Sequence, residues 1–346
     1  MRKYYVSDKW KKVQRIRLKY RLRERARIIV HLQAKAELRQ QRKEFRDLSI
    51  HPPETVPLPS IFSFINKSGF EETIEAINKI ERHIRKHENV YIEMKSVEDI
   101  TLDAIIVLLT KIREASNKKC HISGSHPINR KVLSMLISCD FYKYVSSRDY
   151  TDRNNKRQTI TYKQMNKVSS EELRPLVNDA FSRAGVVINQ ERRQKLSSVL
   201  VELMNNAIEH SKETKANSSF WIGLLPDESK QKILFVFHDN GLGIIKTVKN
   251  RIRDKIFREN RVIIRDLFNT DLAKKISRAL KEQKKGRGNG LRTIHRYQEY
   301  GIIENLWIAT DNVVGNVTND TYFTSSSHLK GTLLTWEISN EQSNSA

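Results

Sequence analysis

Glu202 and Asn206 lie four residues apart in a stretch whose residue pattern predicts a helix. Residues at this spacing stand one above the other on the same helix face. A carboxylate and a carboxamide stacked in this way can hold a water molecule beside a hard cation. Either residue alone is also compatible with an ordinary solvated position on the helix surface.

A second run of residues that could carry chemistry begins at Asp239. It follows the apolar residues 233–237, which predict a strand, and it precedes Gly241 and Gly243. A carboxylate at a strand end can accept a hydrogen bond from an exocyclic amine. Glycines beside it allow the backbone to approach a flat ring closely.

A third run contains Gly286, Arg287, Gly288 and Gly290, and a helical pattern starts at about Leu291. A glycine-rich loop that leads into a helix N-terminus offers free N–H groups and the positive end of the helix dipole to phosphates. Arg287 could also reach a phosphate, or it could lie on a solvated surface.

Regular elements must position these runs. We predict a long helix over residues 190–210 and strands over 219–225 and 232–238. Further strands are predicted over 306–310, 313–318, 321–324 and 332–338. The helix carries an apolar stripe at spacings of three and four, which predicts that it packs on the sheet. The residues of the stripe are Leu196, Val199, Leu200, Leu203, Met204 and Ala207.

In order, element type and residue identity, the three runs together resemble the N, G1 and G2 boxes of the GHKL superfamily. This superfamily contains gyrase, heat-shock chaperone ATPases, histidine kinases and mismatch-repair ATPases. The resemblance covers roughly residues 169–339, and we assign residues 169–346 to the domain. It implies a Bergerat-type α/β (α+β) sandwich that binds ATP and Mg²⁺.

The resemblance also implies a role for each residue. Asn206 would ligate the magnesium ion, and Glu202 would act catalytically by orienting or deprotonating the attacking group. Asp239 would accept from the adenine amine, and Thr332 would support the adenine. The glycines of the second run would shape the adenine pocket. Gly286, Gly288 and Gly290, with Arg287 and Leu291, would hold the phosphates. Residues 244–285 would form the lid over the nucleotide.

Residues 60–150 alternate between predicted strands and helices, and this order resembles the STAS domain of anti-sigma-factor antagonists. In that family a serine at the start of a helix is phosphorylated. Here the run is Thr101-Leu102-Asp103-Ala104, so such regulation would require Thr101 instead. The alternative is a domain that only docks a protein partner or dimerises.

Charge sets the remaining expectations. The formal net charge is +23, and residues 1–50 hold 17 Lys or Arg against 5 Asp or Glu. We predict a basic helical arm over 1–50 that binds nucleic acid or another polyanion, or is simply solvated. The Pro-rich stretch 51–59 and the polar stretch 151–168 are predicted linkers. We expect a cytoplasmic protein without a membrane span or secretory signal, with two buried thiols.

These features predict an ATP-hydrolysing switch in which the nucleotide orders the lid and controls how a protein partner engages. One alternative is a serine/threonine kinase of the anti-sigma-factor type. Another is an ATP-sensing, nucleic-acid-binding module of a defence system. A homodimer is compatible with each of them.

Overall fold

The computed structural model describes residues 52–139, 141–145, 161–165, 169–212, 220–251, 259–268 and 290–340. Contacts within the chain group residues 54–346 into one compact unit, separate from residues 1–53. Helices and strands are mixed in the described ranges, which confirms the coarse α/β (α+β) class. The predicted basic arm, residues 252–258 and 269–285 of the predicted lid, and Gly286, Arg287 and Gly288 lie outside the described residues.

The N-terminal segment of this unit contains a small parallel sheet and four helices. In chain order its elements are β1 (Glu54–Pro57), β2 (Ile61–Phe62), α1 (Lys67–Arg85), β3 (Val90–Glu93), β4 (Asp99–Ile100), α2 (Leu102–Asn117), β5 (Ile122–Gly124), α3 (Arg130–Ser138) and α4 (Phe141–Val145). The sheet order is β1-β3-β5, and β2 pairs separately with β4. The alternation of strands and helices predicted over residues 60–150 is confirmed in the described residues. Cys120 and Cys139 are both buried.

Residues 54–57 correct the linker predicted over 51–59, because they form strand β1 and pair in parallel with β3. Prolines suggested an unpaired stretch. However, Pro57 is the last residue of β1, and β1 is an edge strand of its sheet. A proline at an edge costs no ladder hydrogen bond, so the stretch can join the sheet.

The C-terminal segment is built on a five-stranded antiparallel sheet. Its elements are β6 (Thr161–Met165), α5 (Ser170–Ala184), α6 (Gln190–Lys212), β7 (Phe220–Asp227), β8 (Lys232–Asp239), α7 (Ile244–Arg251), α8 (Asn260–Phe268), α9 (Gly290–Glu299), β9 (Glu304–Asn316) and β10 (Thr321–Ser339). The strand order is β6-β7-β8-β10-β9. Strand β6 falls inside the linker predicted over 151–168, so that prediction is wrong at residues 161–165.

The end of the chain forms two long strands where four shorter ones were predicted. The register between β9 and β10 shifts between Thr324 and Leu329 and again before Thr332. Asp311 adopts a left-handed φ of 54° opposite this irregularity. Polar residues at such bulges resemble loop residues in a sequence, although the two strands continue through them.

Both faces of the five-stranded sheet are buried. Phe235 and Phe237 of β8 pack in the cluster formed with α5 and α6, whereas Val236 packs with the N-terminal segment. Helix α2 crosses β7 and β8, and nearly every residue from Leu102 to Ile112 is buried. A helix with apolar residues on all sides is expected where both of its sides are covered.

A glycine of the sheet permits this close packing. A Cβ atom on Gly223 would lie 2.2 Å from Cδ1 of Ile106 in α2. Glu81 of α1 and Lys111 of α2 also form an ion pair, with only 5% and 3% of their side chains exposed. Although burial opposes ionisation, Lys111 and Arg85 lower the pKa of Glu81 to about 2. In the described ranges, no helix is both long and apolar enough to cross a membrane.

The shared sheet predicts that the N- and C-terminal segments unfold together. Trp221 is buried toward the N-terminal segment, and Trp336 is buried toward α5 and α6. Variants that keep only one of these tryptophans, with the others changed to Phe, should show the same urea midpoint by fluorescence. Leu102→Ala should lower the free energy of unfolding by about 2–5 kcal/mol in both single-tryptophan variants. An earlier transition at Trp221 alone would contradict this prediction.

Candidate functional site

Asp239 ends strand β8 between two neighbouring strands. It lies opposite Phe220 of β7 and Thr332 of β10. The N–H of Gly241 donates to Oδ1 of Asp239 at 2.8 Å, which folds the chain back at the strand end. Because side chains alternate along a strand, Asp239 lies on the same sheet face as Phe237 and helix α6.

The carboxyl group of Asp239 has an altered acidity. Burial raises its pKa to about 6, and hydrogen bonds from the Gly241 N–H and from the hydroxyl and N–H of Thr332 oppose that rise. The group is therefore mainly ionised at neutral pH and is a strong acceptor. A strand-end carboxylate with this acidity also ranks as a functional-site candidate on physical grounds.

Gly331 allows β10 to approach the end of β8. Its φ is 87°, and a Cβ atom there would lie 1.9 Å from the carbonyl oxygen of Asp239. No other residue type could occupy this position without moving one of the two strands. The close approach places Thr332 directly beside the carboxylate.

Thr310 of β9 joins the turn to both strands. Its hydroxyl donates to the carbonyl oxygen of Gly331 at 2.9 Å and accepts from the N–H of Ile244 at 3.1 Å. Gly243 has a φ of 82°, and its Cβ would meet the Thr310 hydroxyl oxygen at 3.0 Å. The sequence did not identify Thr310, because a threonine in a predicted strand gives no signal until strand pairing is known.

Glu202 and Asn206 lie on α6, whose predicted helical extent is confirmed. Both side chains are half-buried, and the six apolar residues of the predicted stripe are all buried. The two polar residues therefore lie at the edge of the buried face of α6. This is the helix that packs over the same sheet face as Asp239.

The third run is described only at its end. Gly290 is the first residue of α9, and Leu291 is half-buried against the core that contains α6. The predicted helix start near Leu291 is thus confirmed. Helix α9 contacts α6 and α8, so it lies in the same helical layer as the helix that carries Glu202 and Asn206.

The described parts of the predicted lid are two helices. Helix α7 starts directly after Gly243, and the hydroxyl of Thr247 donates to the carbonyl oxygen of Gly243 at 2.8 Å. Lys249 donates to Asn260 of α8 at 2.7 Å, and Asn260 donates to Asn312 of β9 at the same distance. Both helices are thereby tied to β9, the strand that pairs with β10.

The metal prediction rests on Asn206 alone. Among the residues that the structure describes, no group of three or more His, Cys, Asp or Glu side chains could hold a metal ion.

No protein-family model matches this chain, and a comparison with curated proteins finds no match.

The approach of β10 to β8 generates a stability prediction. Gly331→Ala should lower the free energy of unfolding by about 1–3 kcal/mol more than Gly301→Ala, because overlap adds to strain. Both glycines have a left-handed φ, 87° and 66°, but a Cβ on Gly301 would meet nothing within 4 Å. The Gly301 variant should show only the conformational cost of about 1–2 kcal/mol. Equal losses in urea denaturation would contradict the close contact.

Proposed function

We propose that the C-terminal segment binds ATP as a GHKL-type domain and that the chain is a Mg²⁺-dependent, ATP-hydrolysing regulatory switch. The observation that carries the proposal is the arrangement around the end of β8. There an ionised Asp239, the Gly241–Gly243 turn and Thr332 converge on one side of the sheet. This agrees with the resemblance seen in the sequence.

At the adenine end, Asp239 would accept a hydrogen bond from the exocyclic amine. One carboxylate oxygen already accepts from the Gly241 N–H, which fixes the orientation of the group. The hydroxyl of Thr332 lowers the pKa of the neighbouring Asp239 as a donor would, so its oxygen would still be able to accept from the ring or from a bridging water. The glycine turn would allow the ring to lie against the backbone.

At the phosphate end, Glu202 and Asn206 would act from helix α6. Asn206 would provide one oxygen ligand for Mg²⁺, with the remaining ligands from phosphate oxygens and water. The bound cation would neutralise charge that develops on the phosphates. Glu202 would orient or deprotonate the attacking water, and the N-terminus of α9 would lie toward the phosphates.

The connection of the site to the rest of the chain supports a switch. The first lid helix, α7, starts at Gly243, and its contacts reach β9 through Asn260 and Asn312. Nucleotide that orders the lid would therefore act on strands that also contact the N-terminal segment. We propose that this STAS-like segment engages the protein partner whose binding the nucleotide controls.

Asp239→Asn should weaken binding of Mg²⁺-ADP roughly 10- to 100-fold in calorimetry, because a charge-assisted hydrogen bond is lost. In the parent protein, affinity should also fall as the pH drops through about 6, since Asp239 becomes protonated there. The variant should lack this component of the pH dependence. Titration of the ADP phosphates affects both proteins equally. The difference between their pH dependences of ADP affinity therefore reports the protonation of the Asp239 carboxyl group.

Asp227→Asn is the matched control for this experiment. Asp227 lies at the opposite end of the β7–β8 hairpin, beside Lys232 in the register. The Asp227→Asn substitution should leave the affinity for ADP unchanged. Absence of heat with Mg²⁺-ATP and Mg²⁺-ADP in the parent protein, or equal affinities for parent and Asp239→Asn, would refute the proposed site.

Glu202→Gln should abolish phosphate release while leaving nucleotide affinity within a few-fold. Removal of a general base commonly costs about 10²- to 10⁴-fold in rate. Glu191→Gln provides the control, because Glu191 lies on the first turn of the same helix with 72% of its side chain exposed. With γ-labelled ATP, the label should appear as free phosphate in the parent and the control. Label retained on protein would favour a kinase over an ATPase.

A further inference from the structure

His238 directly precedes Asp239 on β8 but lies on the opposite face of the sheet. Only 1% of it is exposed, and it lies on the face that packs against the N-terminal segment. Its Nδ1 atom is 3.2 Å from the carbonyl oxygen of Thr332. Thr332 thus meets His238 on one face of the sheet and lies opposite Asp239, whose side chain is on the other face.

The chemistry of this contact fixes the state of the imidazole. Burial and the positive charges of Lys111 and Lys330 together lower the pKa of His238 to about 3, although the hydrogen bond to Thr332 opposes the shift, so the ring is neutral. A carbonyl oxygen can only accept, so Nδ1 must hold the proton and donate to Thr332. The hydrogen bond therefore persists across the physiological pH range.

Thr332 transmits this bond to the candidate site. It lies directly opposite Asp239 in the register of β8 and β10, and its hydroxyl and N–H favour the ionised carboxylate by lowering the pKa of Asp239. Anchoring the Thr332 carbonyl fixes the 332–333 peptide plane, which restricts the backbone of Thr332 and so limits the movement of its hydroxyl beside Asp239. A histidine is a costly way to fill an apolar core, so packing alone gives no reason for an imidazole here.

We propose that His238 is a positioning residue for the nucleotide site, acting on Asp239 through Thr332. This inference rests on the proposed function. Helix α2 also contacts β7 and β8, so the N-terminal segment keeps the imidazole dry and neutral. The packing of the N-terminal segment would thereby influence Asp239, the residue that would bind adenine, although that segment and the Asp239 side chain lie on opposite faces of the sheet.

The test compares His238→Leu with His238→Asn, because the asparagine amide can present a donor near the position of Nδ1. Mg²⁺-ADP affinity is measured by calorimetry from pH 5 to pH 8 in the full chain. In His238→Leu, affinity at pH 7.5 should fall roughly tenfold, as expected for one lost hydrogen bond. The pH midpoint should also rise above that of the parent, because weaker donation from Thr332 raises the pKa of Asp239. His238→Asn should restore both values.

A purely structural role gives a different result. His238→Leu would then lower the free energy of unfolding while its ADP affinity and pH midpoint matched the parent, and the proposal would be overturned. If His238→Leu does not fold, Thr332→Val provides the second measurement. It removes one donor to Asp239 and should raise the pH midpoint, whereas an unchanged midpoint would exclude the route through Thr332.

A nucleotide-free measurement separates this proposal from the proposed function. The difference in unfolding free energy between a protein and its Asp239→Asn partner, followed from pH 4 to pH 8, reports the pKa of Asp239. Because folding raises this pKa, the stabilising contribution is complete below about pH 4 and disappears as pH rises through the folded value. That folded value should be higher in His238→Leu than in the parent. Failure of the parent to bind ADP would refute the proposed function alone.

Discussion

The alternation of side chains along β8 is the constraint on which the rest of the structure depends. Phe235, Phe237 and Asp239 lie on the face covered by α5 and α6, whereas Val236 and His238 lie on the face covered by the N-terminal segment. A one-residue shift in register would exchange the two sets, so both cores must be satisfied at once. The strand is consequently specified strongly, and its end holds Asp239 in a defined place.

Two polar side chains at the end of β8 have identified partners. Asp239 accepts from the Gly241 N–H and lies opposite Thr332, and His238 lies within bonding distance of the Thr332 carbonyl. Between α1 and α2, Glu81 is paired with Lys111 and Arg85. Buried polar groups are tolerated when they are bonded, and the same low dielectric strengthens their interactions. Such groups fix geometry more than they add stability.

Several features were readable from residue types and spacing. The apolar stripe of α6 requires a helix with one buried face, so it also placed Glu202 and Asn206 at the edge of that face. The apolar run before Asp239 predicted strand β8. Strands β1 and β6 were missed, because a proline-flanked or polar strand gains its stability from a partner distant in sequence. Thr310 was not identified from the sequence for the same reason, since only the pairing of β9 with β10 brings it to Gly331.

The sequence by itself determined the local elements, the order of the polar runs and the resemblance that suggested a nucleotide. These depend on periodicity and residue type, which are properties of neighbouring residues. Only the tertiary structure decided that the N-terminal segment covers the second face of the sheet and that His238 lies beneath Thr332. It also decided that Asp239 has a raised pKa. Those outcomes depend on burial and on contacts between residues roughly a hundred positions apart, which no local pattern encodes.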